Sequence, residues 1–176
     1  INPSCRPISS MIFTKEDLSI PKDAFVYCCF NQNYKILPSV FDTWMNILKQ
    51  VKGSILLLSH ANHRAISNLK NEAKKRNVNP NRIIFTTYIK NIADHLKRYE
   101  VTDLFLDTMP YNAHTTASDA IWSGVPLITC IGKSFASRVS SSILKSVGLD
   151  YLVTKSLKEY EKKAIEIAKN TQLLSS

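Results

Sequence analysis

The feature that most limits the fold of this chain is a regular alternation of short apolar runs with longer amphipathic segments. Runs such as 25–30 are rich in β-branched and aromatic residues and are too short to be helices. The segments between them place apolar residues at helical spacing. Predicted strands cover 25–30, 54–59, 82–85, 103–106, 125–130 and 151–153, and predicted helices cover 38–51, 62–76, 91–99, 114–124, 135–147 and 157–170.

This alternation predicts an α/β fold built on a parallel sheet. Strands that are apolar throughout are typical of parallel sheets covered by helices on both faces. With right-handed crossovers, the pattern predicts a Rossmann-like, doubly wound layout. The 176 residues fit one domain. Ligands of such sheets bind beyond the carboxyl ends of the strands, so we expect the site among the loops after Phe30, Phe85 and Leu106.

The segment after the fourth predicted strand is the strongest candidate for a site. The strand ends at Asp107, a tight loop follows, and a predicted helix begins with His114, Thr115 and Thr116. The amino end of a helix carries unpaired N–H groups and a partial positive charge, so it favours an anion such as a phosphate group. Two alternatives stay open, namely simple capping by Thr115 and a histidine packed in the core.

The formal net charge of +9 makes nucleic acid a partner to consider. The lysines, however, alternate with acidic residues, as at 70–76 and 158–163. That spacing is typical of solvated helix faces with i,i+3 and i,i+4 ion pairs. The sequence contains no zinc-finger spacing and no aromatic RNA-binding motif. Composition therefore favours a ligand other than nucleic acid.

Cysteine usage and hydropathy indicate a cytoplasmic protein. The four cysteines are Cys5, Cys28, Cys29 and Cys130, and none belongs to a CxxC pair. The last three fall in predicted buried strands, where a free cysteine acts as a small apolar residue. No apolar run approaches the roughly 18 residues of a membrane span, and the first residues lack the features of a signal peptide.

Several separate motifs, in the same order, resemble those of the O-linked N-acetylglucosamine transferases. They lie at 30–36, 81–85, 106–116 and 136–139. The resemblance covers about residues 20–170 and is to the C-terminal lobe of the catalytic domain, bacterial members included. The triplet His114, Thr115 and Thr116 is closer to the GlcNAc transferases than to plant-type O-fucosyltransferases, which carry a different residue at the histidine position.

The resemblance implies the C-terminal, donor-binding lobe of a GT-B glycosyltransferase, in which two Rossmann-like lobes face a cleft. It implies an inverting enzyme, independent of metals and cofactors, that moves GlcNAc from UDP-GlcNAc to a Ser or Thr of a protein. In this family the N-terminal lobe and tetratricopeptide repeats help to place the acceptor. We therefore expect residues 1–20 to be an arm from a missing N-terminal lobe. Residues 21–176 would then be the UDP-GlcNAc-binding lobe, inactive by itself.

The matched motifs also imply roles for individual residues. Lys35 matches a lysine that contacts the diphosphate, so it is the candidate catalytic residue, which stabilises UDP as it departs. Asp119 matches an acid that contacts the ribose. The implied donor-binding residues are Gln32, Lys35, Lys90, His95, Arg98, His114, Thr115, Thr116 and Asp119. The segment 89–95 is one residue longer than the usual family spacing, which affects Lys90 most.

Four of the implied residues also have a plain structural interpretation. Lys35 can be an exposed loop lysine, and Arg98 can lie on a solvated helix face. Gln32 can satisfy the backbone of its own loop. Asp119 can be an exposed helix acid. These alternatives stay open at the level of sequence.

The sequence offers no candidate metal site. His60 and His63 have no carboxylate or thiol nearby that would complete a set of ligands. Asp103 and Asp107 flank a predicted strand and do not form the DxD loop of metal-dependent transferases. We expect these two aspartates to order the ends of that strand.

Three other functions remain open. The first is a related transferase with another donor, such as UDP-glucose or GDP-fucose. The second is a nucleotide-binding module without catalysis. The third is a basic nucleic-acid-binding domain, which steeply salt-dependent binding would reveal.

Overall fold

The structure, a computed structural model, describes residues 7–170 and contains one parallel sheet. Its six strands are β1 (Val26–Cys29), β2 (Ile55–Leu58), β3 (Ile83–Phe85), β4 (Leu104–Leu106), β5 (Leu127–Cys130) and β6 (Val153–Thr154). The strand order is β3-β2-β1-β4-β5-β6, and every neighbouring pair is parallel. This is the doubly wound Rossmann order, so the predicted fold class is confirmed.

Six α-helices connect and follow the strands. They are α1 (Pro38–Gln50), α2 (His63–Lys75), α3 (Ile92–Lys97), α4 (Thr115–Trp122), α5 (Val139–Ser146) and α6 (Leu157–Lys169). Pro38 begins α1, and the side chains of Asn62, Asn91 and Ser156 cap α2, α3 and α6. Gly148 follows α5 with a φ of 75°, a conformation that suits glycine after a helix.

Hydrogen bonds of buried aromatic side chains attach helix α6 to the core. All residues of β1, β2, β4 and β5 are buried, as a sheet covered on both faces requires. Trp44 donates from its indole nitrogen to the Tyr160 hydroxyl at 3.1 Å, and that hydroxyl donates to the Asp107 carbonyl oxygen at 2.9 Å. Tyr27 donates to the Ala164 carbonyl oxygen at 2.9 Å. The buried polar groups of these three aromatic side chains thereby have hydrogen-bond partners.

Three predicted elements differ from the structure. The helix predicted at 135–147 is present but begins only at Val139, because a 3-10 helix (Phe135–Ser137) precedes α5 and Arg138 lies between them. There the Ser137 hydroxyl bonds back to the Ser134 carbonyl oxygen at 2.9 Å, which favours a tight turn over a continuing helix.

The other two differences are at element ends. The helix predicted at 91–99 changes after Lys97 into a 3-10 helix (Arg98–Val101). The last strand is β6, which is preceded by a 3-10 turn (Asp150–Leu152). Such ends are set by tertiary contacts more than by local pattern.

The segment before β1 lies against the domain. Phe13 and Leu18 pack against the core, and Ile20 is buried. A short 3-10 helix (Glu16–Leu18) shapes this part of the chain. Residues 1–6, and with them Cys5, lie outside the described residues, as do residues 171–176.

Three further observations concern only residues 7–170. None of the helices there combines the length and the apolar character that a membrane crossing requires. No group of three or more metal-ligating side chains occurs in that range. The three cysteines that it contains, Cys28, Cys29 and Cys130, are buried and unpaired, as predicted.

Candidate functional site

The sheet changes winding direction between β1 and β4. The chain leaves β1 toward β2 on one side of the sheet and leaves β4 toward β5 on the other side. β1 and β4 lie side by side, although their last residues, Cys29 and Leu106, are 77 positions apart in the chain.

 In a doubly wound sheet this switch point opens a crevice beyond the carboxyl ends of the strands, where ligands bind. The loops that follow β1 and β4 therefore form the candidate site.

Asn31, directly after β1, connects the two loops. Its side-chain nitrogen donates to the Thr108 hydroxyl at 2.7 Å, and its side-chain oxygen accepts a hydrogen bond from the Thr116 hydroxyl. Asn31 is buried, so these bonds hold the start of α4 against the end of β1. Asn31 was not predicted as a site residue. The available signal was an amide side chain directly after a buried strand.

Asp107 folds the loop after β4. One carboxylate oxygen accepts from the backbone N–H groups of Thr108 at 2.9 Å and Ala113 at 2.7 Å. The other accepts from the Thr129 hydroxyl at 2.7 Å. Burial raises the pKa of Asp107 to about 6, although these hydrogen bonds act to lower it. The carboxylate orders the end of β4, as predicted, and sets where α4 begins.

The amino end of α4 is open on its polar side. His114 occupies the N-cap position, but no side chain among residues 7–170 caps this end. His114 and Thr115 are exposed, and Thr116 is partly exposed. The N–H groups of the first turn therefore stay available to an anion.

Lys35 reaches toward the same helix end. It closes a 3-10 helix (Asn33–Lys35) after β1, and its Nζ donates to the Asn112 carbonyl oxygen at 3.3 Å. Asn112 is buried, and its backbone N–H donates to the Ala136 carbonyl oxygen at 3.0 Å. One residue therefore joins three loops of the rim. Asn112 was not predicted as a site residue, because its role depends on its backbone and leaves no clear signal in the sequence.

A second group lies beside α4, where α3 meets it. The His95 Nε2 atom is 3.6 Å from an Asp119 carboxylate oxygen, and Asp119 is buried. Arg98 contacts the other ring nitrogen of His95 and donates to the Thr87 carbonyl oxygen at 3.0 Å. The structure thus brings three predicted residues together, and neither Arg98 nor Asp119 is a solvated helix residue.

Two aromatic rings support this group. The His95 ring lies 6.0 Å from the Phe30 ring and 5.7 Å from the Tyr99 ring, measured between centroids. The Tyr99 hydroxyl donates to the Thr116 carbonyl oxygen at 3.2 Å, which links the group to α4. Phe30 and Tyr99 were not predicted as site residues.

The two remaining predicted residues are held less firmly. Gln32 is exposed at the start of the 3-10 helix that contains Lys35. Lys90 is exposed in the loop between β3 and α3. In the described part of the chain, no hydrogen bond or ion pair fixes either side chain.

Comparison with known proteins identifies the family of this arrangement. A sequence profile for glycosyl transferase family 41 matches residues 4–176, nearly the whole chain. The chain belongs to glycosyl transferase family 41. The resemblance found in the motifs is therefore confirmed.

Family 41 relatives are similar along most of this chain. SEC from Arabidopsis thaliana, a probable UDP-N-acetylglucosamine–peptide N-acetylglucosaminyltransferase, is 37% identical over 163 residues, which are 92% of this chain and 17% of the plant protein. The UDP-N-acetylglucosamine–peptide N-acetylglucosaminyltransferase of Caenorhabditis elegans is 35% identical over 97% of this chain and 15% of its own length. The chain thus spans less than a fifth of each relative.

Solved structures agree with the fold. An O-GlcNAc transferase variant from Thermobaculum terrenum matches with a TM-score of 0.82 at 30% identity, over 88% of this family 41 chain and 32% of the other chain. The C-terminal domain of LpcC, a group 1 glycosyl transferase from Francisella tularensis, matches with a TM-score of 0.53 at 12% identity. That second match covers 97% of this chain and 98% of the other, and it shows the fold alone.

Proposed function

We propose that this chain is the donor-binding lobe of an inverting, metal-independent transferase that moves GlcNAc from UDP-GlcNAc to a Ser or Thr of a protein. The names of the family 41 relatives support the donor and the class of acceptor. One structural observation carries the proposal, namely that Lys35 is joined through Asn112 to the open amino end of α4. This places a cation and free N–H donors at one point of the rim.

The diphosphate of the donor would lie between Lys35 and the start of α4. The acceptor oxygen attacks the anomeric carbon, the bond from that carbon to the phosphate oxygen breaks, and its electron pair leaves with UDP. The hydroxyl proton passes to a base on the acceptor side of the cleft. Negative charge grows on the departing phosphate, so Lys35, the first N–H groups of α4 and the Thr115 hydroxyl stabilise the transition state. These donors supply the charge that a metal would otherwise supply.

The nucleoside would lie along the group formed by His95, Arg98 and Asp119. In this proposal the His95 ring stacks on the base, and Asp119 and Lys90 reach the ribose. Gln32 contacts a phosphate or sugar oxygen. The support is the common location of these residues on the carboxyl rim of the sheet, next to the proposed diphosphate site.

Acceptor binding and cellular location are also part of the proposal. An N-terminal lobe, with tetratricopeptide repeats in some parents, would place the protein acceptor across the cleft. The buried, unpaired cysteines support a reducing compartment such as the cytoplasm.

Titration calorimetry with UDP tests the donor site directly. We expect UDP to bind, GDP to bind at least about tenfold more weakly, and both Lys35→Ala and His114→Ala to weaken UDP binding about tenfold. Lys52→Ala, which removes an exposed lysine in the loop before β2, at the amino end of the strands, is the matched control and should bind as the wild type does. Addition of EDTA should change nothing. Equal affinity in the Lys35→Ala variant and the wild type would overturn the site.

Transfer itself is measured on the full-length protein that contains this chain. We expect GlcNAc transfer from UDP-GlcNAc to protein, and little transfer from UDP-glucose or GDP-fucose. A preference for another sugar nucleotide would assign a different donor. Binding of UDP without any transfer would indicate a nucleotide-binding module.

A further inference from the structure

The contact between Arg98 and His95 determines which ring nitrogen of His95 carries a proton. A guanidinium group has only N–H donors and stays protonated, so the atom that it contacts must accept. Nη2 of Arg98 contacts Nδ1 of His95. Nδ1 therefore presents its lone pair, and the ring carries its proton on Nε2.

The environment of the other nitrogen agrees with this assignment. Nε2 faces an Asp119 carboxylate oxygen at 3.6 Å, where an N–H group is favoured over a lone pair.

Arg98 is itself held rigidly. Only 5% of its surface is exposed, its Nη1 atom donates to the Thr87 carbonyl oxygen at 3.0 Å, and its guanidinium carbon lies 5.1 Å from the centre of the Phe30 ring. These contacts fix the plane of the guanidinium group and hence the direction from which it meets His95.

We propose that Arg98 is a positioning residue that fixes His95 as the neutral tautomer protonated on Nε2 and fixes the plane of its ring. This inference rests on the proposed function. Its consequence is that the His95 ring is already oriented to stack on the nucleobase before the donor binds. Arg98 then acts on the ligand through His95. Preorganisation of this kind lowers the cost of ordering the site on binding.

Nitrogen-15 NMR of the ligand-free chain tests the tautomer. We expect the His95 signals, identified by their loss in His95→Gln, to show protonated Nε2 and unprotonated Nδ1, with a coupling through the hydrogen bond to an Arg98 nitrogen. In Arg98→Met, a form protonated on Nδ1 should appear. In Asp119→Asn, whose amide oxygen can still accept from Nε2, the wild-type tautomer should persist. A wild-type ring protonated on Nδ1 would overturn the proposal, as would an unchanged ring in Arg98→Met.

Affinity for UDP provides the second measurement. We expect the dissociation constant to rise about tenfold in Arg98→Met and less in Arg98→Lys, whose ammonium group can still donate to Nδ1. Equal affinity in the wild type and Arg98→Met would overturn the positioning role. If the wild type does not bind UDP, the proposed function fails, whereas the tautomer result is obtained without ligand and stands separately.

Discussion

The ammonium group of Lys35 donates a hydrogen bond to the backbone carbonyl oxygen of Asn112, 3.3 Å away and 77 positions later in the chain. This bond spans the switch point between β1 and β4. The bond holds the Lys35 ammonium group near the amino end of α4. Because the acceptor is a backbone oxygen, a side-chain substitution at residue 112 does not remove it directly. The cation is partly exposed and remains accessible to a ligand.

Replacing Lys35 should lower the rate of transfer and leave the stability of the fold nearly unchanged. In the full-length protein we expect Lys35→Ala to lower the rate of transfer about 100-fold, because one donor to the leaving group is lost. The midpoint of thermal unfolding should stay within about 2 °C of the wild type, since a partly exposed lysine contributes little to stability. Kinetics and calorimetric melting of the same preparations measure both. A large drop in the unfolding temperature would indicate a structural role.

Asp107 should make stability depend on pH in a defined direction. Its pKa is raised by burial from 3.8 to about 6, so the folded protein binds this proton more tightly than the unfolded chain does. The stabilising contribution of the protonated form is present at low pH and is lost as pH rises through the native pKa. The two pKa values correspond to a loss of about 3 kcal/mol between roughly pH 4 and pH 6.

Asp107→Asn removes this titration and keeps a side-chain oxygen that can accept from Thr108 and Ala113. Urea unfolding across that pH range measures the unfolding free energy of the variant and of the wild type. As pH rises, the wild type should lose stability relative to Asp107→Asn. Asp23→Asn, at an exposed position, is the control and should follow the wild type. A constant difference between Asp107→Asn and the wild type would contradict the prediction.

Gly132 should tolerate no larger residue. A Cβ atom there would lie 2.5 Å from the Ser137 Cβ atom and would also overlap its hydroxyl. Gly132→Ala should therefore lower the unfolding free energy by about 2 kcal/mol through overpacking. It should also displace the loop that carries Ala136, to which Asn112 donates.

The matching double variant tests the cause. Ser137→Gly removes both atoms that the new methyl group would meet, so the cost of Gly132→Ala should be smaller in that background. Denaturant melts of the four proteins give the coupling energy. Additive effects would mean that Ser137 is not the obstacle.

Asn31→Asp should be strongly destabilising at neutral pH. The Asn31 side-chain nitrogen lies 3.4 Å from an Asp107 carboxylate oxygen and 2.7 Å from the Thr108 hydroxyl. The substitution would place two buried carboxylates together and remove a donor, at a cost of about 3 kcal/mol. Asn68→Asp, the same change on an exposed part of α2, should cost little. Chemical denaturation at neutral pH compares them, and equal losses would contradict the prediction.

The sequence by itself determined the class of fold and the rim of the site. Apolar runs and helical periodicity are local patterns in the chain, so they predict β1 to β5 and a start of α2 near Asn62. The motif of His114 to Thr116 pointed to the open end of α4 for the same reason, since a helix start is a local feature. The order of the motifs along the chain also predicted the family.

Only the tertiary structure decided which polar groups meet. Asn31 and Thr116 are 85 positions apart, and they bond because β1 and β4 pair in parallel with one register. Likewise, the proton on His95 is fixed by the direction from which Arg98 approaches. Such contacts depend on distances and hydrogen-bond directions in space, which a linear pattern of residue types does not encode.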